Sequence, residues 1–383
     1  MTTQPTSSAG TGGAPDFAAL GLLDGLDEPA RAARAALLEH LHADGWTVEQ
    51  LRAAAVEGRL ALLPAERALG AGGDLTARDV AATAGVELAE LEAVRRACGL
   101  PLPPPDVAEL GELDLAGARA LARFLEGGLP LEGLIEASRV FGEASAHAAA
   151  AAGTLANVAL PQVGDTEHDY ALRLAAATRE LTPPAAELLG VMYRLHSREN
   201  LRQSIIDAEE LAEGRRSDVH DVSVGFCDLV GFTRLGEGVP AADLGAIATR
   251  FAAIAAVVAE PPVRLVKTIG DAVMFVAPEP APLLHAALGL MEAADAEGEH
   301  FPAVHAGAAH GPALRRWGDY YGGPVNLAAR LTERARPASL ITDTAVRERA
   351  GEGGFAWSEA GSKRLKGMSE PTPVWRCRRA TLR

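Results

Sequence analysis

Residues 263–276 read Val-Arg-Leu-Val-Lys-Thr-Ile-Gly-Asp-Ala-Val-Met-Phe-Val. Apolar and β-branched residues fill both halves of the run, and Gly270–Asp271 between them suits a tight turn. Two paired strands are therefore expected, at 263–269 and 272–276. Working outward gives the rest of the order. Upstream lie an apolar strand at 222–226 and a long helix at 240–260. Downstream come a helix at 281–296, a strand at 303–310, a helical stretch at 324–334 and a strand at 339–342. The order βαββαβ predicts an α+β, ferredoxin-like domain over residues 219–383. Its sheet should be antiparallel with helices on one face, and its first strand should lie beside the hairpin.

The first half of the chain reads differently. From residue 17 to 198 nearly every segment has helical periodicity, as at 29–42, 48–57, 88–97, 115–125 and 170–180. Glycine and proline punctuate these segments at 99–105 and at Pro183–Pro184. An all-α domain is expected there. Residues 199–218 form a helical connector that ends at Gly214 and the charged run after it. Residues 1–16, rich in Thr, Ser and Gly, read as a disordered tail with no leader or anchor character.

Composition narrows the function classes. The chain has 383 residues and a net charge of -15, and no basic stripe compensates for that charge. An acidic surface repels phosphate backbones, so nucleic acid is not an expected partner. Residues 75–86 resemble the start of a helix-turn-helix, but the following helix, 88–97, mixes Glu90 and Glu92 with Arg95 and Arg96 and reads as a packing unit. The most apolar run, 144–160, is interrupted by His147, Gly153 and Asn157 and is too short to span a bilayer. Cys98, Cys227 and Cys377 are too far apart for a metal motif. A cytoplasmic protein with reduced thiols is expected.

Two carboxylates stand out by position. Asp228 ends the first strand and Asp271 sits in the hairpin turn, so both converge on one sheet edge, where hard oxygen ligands suit Mg²⁺ or Mn²⁺. Taken singly, each has a plainer reading, since Asp is common after strands and in Gly-Asp turns. Val230–Gly231–Phe232–Thr233 follows directly; its backbone N–H groups and the Thr233 hydroxyl suit phosphate oxygens. Alone, this is a strand-to-helix loop.

Three motifs in order carry a resemblance: FCDLVGFT around Asp228, VKTIGD around Asp271, and GDYYGGPVNLAARL from Gly318. Together they resemble the signatures of class III adenylate and guanylate cyclases, over roughly the last 160 residues. The resemblance implies that Asp228 and Asp271 hold two divalent metal ions, Mg²⁺ or Mn²⁺. It implies that Lys267 and Asp319 read the adenine of ATP, whose N1 acceptor and N6 donor match that pair. Asn326 and Arg330, at i and i+4 of one helix, match the transition-state residues of the family. Lys366 resembles a lysine that contacts the outer phosphates; an exposed lysine in a basic hairpin is the alternative. Phe232 and Thr233 fall in the phosphate loop.

The implied reaction is ATP to 3′,5′-cyclic AMP and pyrophosphate at a homodimer interface. The metal aspartates come from one subunit and the transition-state pair from the other. Guanylate cyclase activity and a non-catalytic nucleotide-sensing module are the alternatives. The helical half resembles the regulatory domains of actinobacterial cyclases that respond to pH. His147, His168, His196 and His220 are the candidate proton-responsive groups, and the apolar helices around 144–160 suit a regulatory apolar ligand or a buried core.

Overall fold

A computed structural model of the chain describes residues 15–202, 218–365 and 370–380. Most of the expected tail, connector residues 203–217 and Lys366 lie outside the described residues. The chain divides into two compact units, 1–204 and 205–383.

The first unit is helical: α1 (Glu28–Ala43), α2 (Val48–Val56), a 3₁₀ turn (Leu60–Leu62), α3 (Leu63–Ala68), α4 (Ala77–Ala84), α5 (Leu88–Ala97), α6 (Glu112–Glu126), α7 (Leu131–Ala159) and α8 (Glu167–Arg202). Thr47 with Gln50 and Thr76 with Asp79 form capping boxes that start α2 and α4 by satisfying their first N–H groups. Leu37, Leu38, Leu41, Leu51 and Leu63 close one core, against Ala171 of α8. Val80, Leu91, Leu115 and Leu121 close a second, against Leu134 of α7. The helix-turn-helix-like segment, α4 and α5, is thus a packing unit, turned by Gly85 in the left-handed region.

Two expectations are corrected here. Pro183–Pro184 does not end a helix, because α8 runs through both prolines. Each removes an N–H that would bond four residues back, to Arg179 or Glu180; those residues are exposed, so water can satisfy the freed carbonyls. The run 144–160, which suited a buried core, forms the second half of α7 and is largely exposed in this unit, Leu155 and Val158 included.

The second unit opens on β1 (Val219–Leu229), followed by a short α9 (Phe232–Leu235) and α10 (Ala241–Val258). The hairpin is β2 (Arg264–Ile269) and β3 (Ala272–Ala277). Next come α11 (Pro280–Asp295), β4 (Val304–Arg316), β5 (Asp319–Tyr321), α12 (Gly323–Arg334), β6 (Leu340–Thr342), α13 (Thr344–Ala350), β7 (Phe355–Lys363) and β8 (Thr372–Arg379). Strand order is β2-β3-β1-β4-β6-β8-β7, with β5 on β4. The β2-β3-β1-β4 portion is the expected ferredoxin-like sheet, all antiparallel. β1 touches β3 of the hairpin rather than β2.

The sheet departs from expectation in two ways. β4 and β6 pair in parallel. Helices also cover both faces. Cys227 and Leu229 of β1 point to α10 and α11 (Phe251, Leu283, Leu284), whereas Val222 and Val224 point to Ala328 of α12. Alternate residues of one strand face opposite sides, so one helix-covered face was an incomplete expectation. By length and composition α10 is apolar enough to cross a membrane; its Phe251, Ile254 and Ala255 are buried in this unit's core.

One buried polar pair has a consequence for stability. The Ser223 hydroxyl and His310 Nδ1 lie 2.9 Å apart, and His310 Nε2 has no partner. Burial, helped by Arg349, holds His310 below the ordinary imidazole range, while Asp221 and Glu279 act the other way. The folded ring therefore resists a proton that the unfolded chain accepts near pH 6.5. The stability this gives is present above that pH and is lost as pH falls through the lowered folded value. His310→Leu is expected to lower Tm at pH 7.5, because an unpartnered buried Ser223 hydroxyl costs about 1–3 kcal/mol. The same variant should lose less stability than the wild type between pH 7 and pH 5. Thermal melts across that range check it, and an unchanged acid slope would refute it.

Candidate active site

Asp228 stands at the end of β1, opposite Ala272 of β3 on one side and His305 of β4 on the other. The Leu229 N–H donates to the Asp271 carbonyl at 3.2 Å, which draws the hairpin turn against the end of β1. The two carboxylates are thereby brought together. Burial first, and then the Asp228 charge, push the Asp271 carboxyl above the usual carboxylate range. His305 was not among the expected site residues. Its Nε2 lies 3.3 Å from Asp228 Oδ2, and its Nδ1 donates to the Ala335 carbonyl at 3.1 Å. The Asp228 hydrogen bond raises the His305 pKa, against burial.

Two like charges crowded at a strand end suit a divalent cation, whose charge would offset their repulsion. Among the described residues no group of three or more His, Cys, Asp or Glu side chains is arranged to hold a metal ion by itself. The pair therefore fits divalent ions that take their remaining ligands from water and substrate oxygens, as Mg²⁺ does.

Lys267 reaches its place through a β-bulge. Leu265 pairs with Phe275 but Lys267 pairs with Met274, so Val266 is the extra residue. The shift turns Lys267 toward the face that carries α12, where Nζ forms an ion pair with Asp319 Oδ2. Asp319 opens β5 after a two-residue turn in which Trp317 and Gly318 both have positive φ, 54° and 81°. That turn requires the left-handed region at both residues, an unusual demand on a bulky tryptophan. Asp319 Oδ1 also accepts from the Tyr320 N–H at 2.8 Å, which fixes the carboxylate.

Helix α12 follows β5 directly. Pro324, Ala328, Leu331 and Thr332 are its buried face. At 3.6 residues per turn, Asn326 and Arg330 lie about 160° and about 120° around the helix from Pro324. Neither side chain has a hydrogen-bond or ion-pair partner among the described residues. The pair points away from the sheet that bears Asp228. One chain thus carries both groups of side chains, facing apart.

Residues 215–375 match the adenylate and guanylate cyclase catalytic domain, and residues 15–202 match the adenylate cyclase regulatory domain. The pH-sensitive adenylate cyclase of Mycobacterium tuberculosis (strain CDC 1551 / Oshkosh) is 38% identical over 369 residues, which is 94% of this chain and 92% of that protein. The chain belongs to the class III adenylate and guanylate cyclase family. An adenylate cyclase of Streptomyces coelicolor is 32% identical over 292 residues, 73% of this chain and 72% of its own. Among solved structures, the catalytic core of a rhodopsin-guanylyl cyclase with converted specificity, in complex with ATPαS, is similar at 23% identity with a TM-score of 0.38. That match covers 42% of this chain and 96% of the other.

In this cyclase the loop after Asp228 begins with Gly231 in the left-handed region (φ 72°), which starts α9 at Phe232. The Phe232 side chain packs against the core, whereas Thr233 is exposed. The first N–H groups of any helix lack intrahelical acceptors, so this turn offers donors beside the carboxylates. Lys366 lies outside the described residues. Of the histidines singled out from the sequence, His147 and His196 are exposed on α7 and α8, and His168 meets His40 edge-on at 6.2 Å. His220 sits half-buried near the start of β1. In the cyclase domain, burial lowers the pKa of His285 and His310, and the Asp228 hydrogen bond raises that of His305. The strand at 303–310 was legible in the sequence; the register that sets His305 opposite Asp228 was not.

Proposed function

We propose that this cyclase converts ATP to 3′,5′-cyclic AMP and pyrophosphate at two composite sites of a homodimer. The observation that carries the reading is the opposed placement on one chain. Asp228 lies at the end of β1 and Asp271 in the β2–β3 turn beside it, while Asn326 and Arg330 face outward from α12. A two-fold dimer, in which each patch meets its counterpart, brings the outward pair of one subunit over the carboxylates of the other. The hairpin bearing Asp319 runs straight into α12, so the base-reading pair belongs to the same subunit as Asn326 and Arg330.

Asp228 and Asp271 would hold two divalent ions, Mg²⁺ or Mn²⁺, whose charge lowers the pKa of the ribose 3′-hydroxyl and offsets that of the triphosphate. Lys267 donates to adenine N1, and Asp319 accepts from the N6 amino group. Asn326 orients the ribose so that O3′ approaches the α-phosphorus in line with the departing pyrophosphate. Arg330 stabilises the charge that builds on the α-phosphoryl oxygens. Thr233 and the backbone N–H groups of the Phe232 turn bind phosphate oxygens, with Lys366 on the outer phosphates. The helical unit regulates turnover, with protons or an apolar ligand as the signal.

The test is turnover of ATP and of GTP with Mn²⁺ by the full chain, at several pH values. A site whose polar groups are matched to one base discriminates by about 10⁴ when the wrong base leaves them unpaired. ATP should therefore be strongly preferred. Lys267→Glu with Asp319→Ser, which inverts the donor and acceptor pattern, should reduce that preference by about tenfold or more. Equal turnover of the two nucleotides by the wild type would overturn the base assignment. No turnover at any pH would leave the nucleotide-sensing reading.

A further inference from the structure

We propose that His305 is a positioning residue for the cyclase reaction, fixing the Asp228 carboxylate and tying it to the end of the helix that carries Asn326 and Arg330. The proposal rests on the two-ion reading of Asp228 given above. Its observations are separate from that reading.

The ring lies between two acceptors. A carbonyl oxygen can only accept, so the 3.1 Å contact with Ala335 makes His305 Nδ1 the donor and fixes the ring plane. Asp228 Oδ2, 3.3 Å from Nε2, can likewise only accept, so the ring donates to both partners as the imidazolium. The ring has little freedom to leave this place. It is largely buried, with 14% of its side chain exposed. It also stands in register with Asp228 across the β1–β4 pair. A carboxylate on a strand end otherwise samples several rotamers. Holding one oxygen leaves the other, and the outer side of the first, presented in a single direction toward Asp271. Partners of this kind behind a metal-binding carboxylate orient it and set its basicity, and their loss weakens metal affinity or activity by about 10–100-fold.

The second contact is as informative as the first. Ala335 caps the C-terminus of α12, where the last carbonyls have no partner within the helix. His305 supplies a donor to the carbonyl of this cap residue. Two residues further along β4, Gly307 lies directly under the same helix. The strand thus grips α12 at two points, one of them the ring that also holds Asp228. In a dimer with composite sites, Asp228 serves one site and Asn326 with Arg330 serve the other. A single imidazole therefore joins the metal carboxylate of one site to the transition-state helix of its twin.

The experiment is a Mn²⁺ titration of the full chain, followed by electron paramagnetic resonance, with 3′-deoxy-ATP present so that no turnover occurs. Turnover of ATP is measured in parallel. His305→Phe keeps the volume and loses both hydrogen bonds. It is expected to bind Mn²⁺ about 10–100-fold more weakly and to lose kcat by a similar factor, with the KM for ATP changed by less than about twofold. His305→Gln retains an amide N–H for Asp228 and is expected to regain most of the Mn²⁺ affinity. A merely structural role would not produce that rescue. If His305→Phe does not melt cooperatively, His305→Ala takes its place under the same criterion. Wild-type Mn²⁺ affinity in His305→Phe, or no rescue by glutamine, would overturn the proposal. Asp228→Asn is titrated alongside. If it alone loses Mn²⁺, only the positioning role is refuted; if it too binds normally, the two-ion reading has failed and takes the proposal with it.

Discussion

Asp228→Ala and Arg330→Ala, each inactive alone, are expected to regain activity when mixed. The separate losses should be large. A metal ion's electrostatic contribution amounts to several kcal/mol, and each 1.4 kcal/mol is tenfold in rate, so Asp228→Ala should lose about 10³-fold or more. Removing a charge-stabilising donor such as Arg330 costs about 10²–10³-fold. Neither change touches a buried side chain of the core, so melting temperatures should stay near the wild type. In a mixed dimer one site combines both defects and the other contains neither. Random pairing at equal amounts makes half of the dimers mixed, each with one sound site of two, so about a quarter of the wild-type rate should return. Activity assays on the variants alone and after co-refolding or co-expression check this. A mixture that stays at the level of its parts would show that each chain builds its site alone, and the outward-facing α12 pair would need another explanation.

Gly307→Ala is expected to damage catalysis more than stability. A Cβ at this position would lie 2.3 Å from the Thr332 nitrogen, 2.6 Å from the Ala328 carbonyl oxygen and 2.7 Å from the Leu331 carbonyl carbon. All of these are backbone atoms of α12, so no side chain can swing aside. The helix must move off the sheet. Overpacking of this kind costs about 1–3 kcal/mol, and occasionally more. The displaced helix carries Asn326 and Arg330, and a shift of about 1 Å in a positioning group can cost 10²-fold in rate. A kcat reduced by about 10²-fold, in a chain that still melts cooperatively, is the expected outcome. Wild-type kcat would mean that the exact seat of α12 is unimportant.

The parts of this site that could be read from the sequence are those in which a residue's role follows from its neighbours along the chain. Asp228 at a strand end, Asp271 in a hairpin turn, and Asn326 with Arg330 on one helical face are of that kind. So is the βαββαβ order, whose core pairing the sheet reproduces. What could not be read depends on register and on contacts distant in sequence. His305 gains its meaning only when β4 is laid against β1. The bulge at Val266 leaves no mark in a run of alternating apolar residues, yet it turns Lys267 toward Asp319. The C-terminal hairpin was named only as a basic setting for Lys366; its strand bounds were not read, because arginine, serine and glutamate interrupt the alternation and the β7–β8 register shifts between Glu359 and Ser362. Pro183–Pro184 misled for the opposite reason. Proline normally ends a helix, but on an exposed surface its freed carbonyls can turn to water.

The strand order has one more implication. β1, which ends in Asp228, lies inside the sheet with partners on both edges, whereas β2 is a margin strand and β5 a short appendage on β4. Interior strands open only with the whole domain, while margins fray with far less free energy. On the proposed reading, Asp228 is therefore mounted on the strand of the cyclase domain that yields last, and the base-reading Lys267 and Asp319 on parts that yield early. Specificity and catalysis are mechanically modular in such an arrangement. Substitutions that retune which purine is accepted can accumulate at the rim while the central strand, and the reaction it supports, remain as they were.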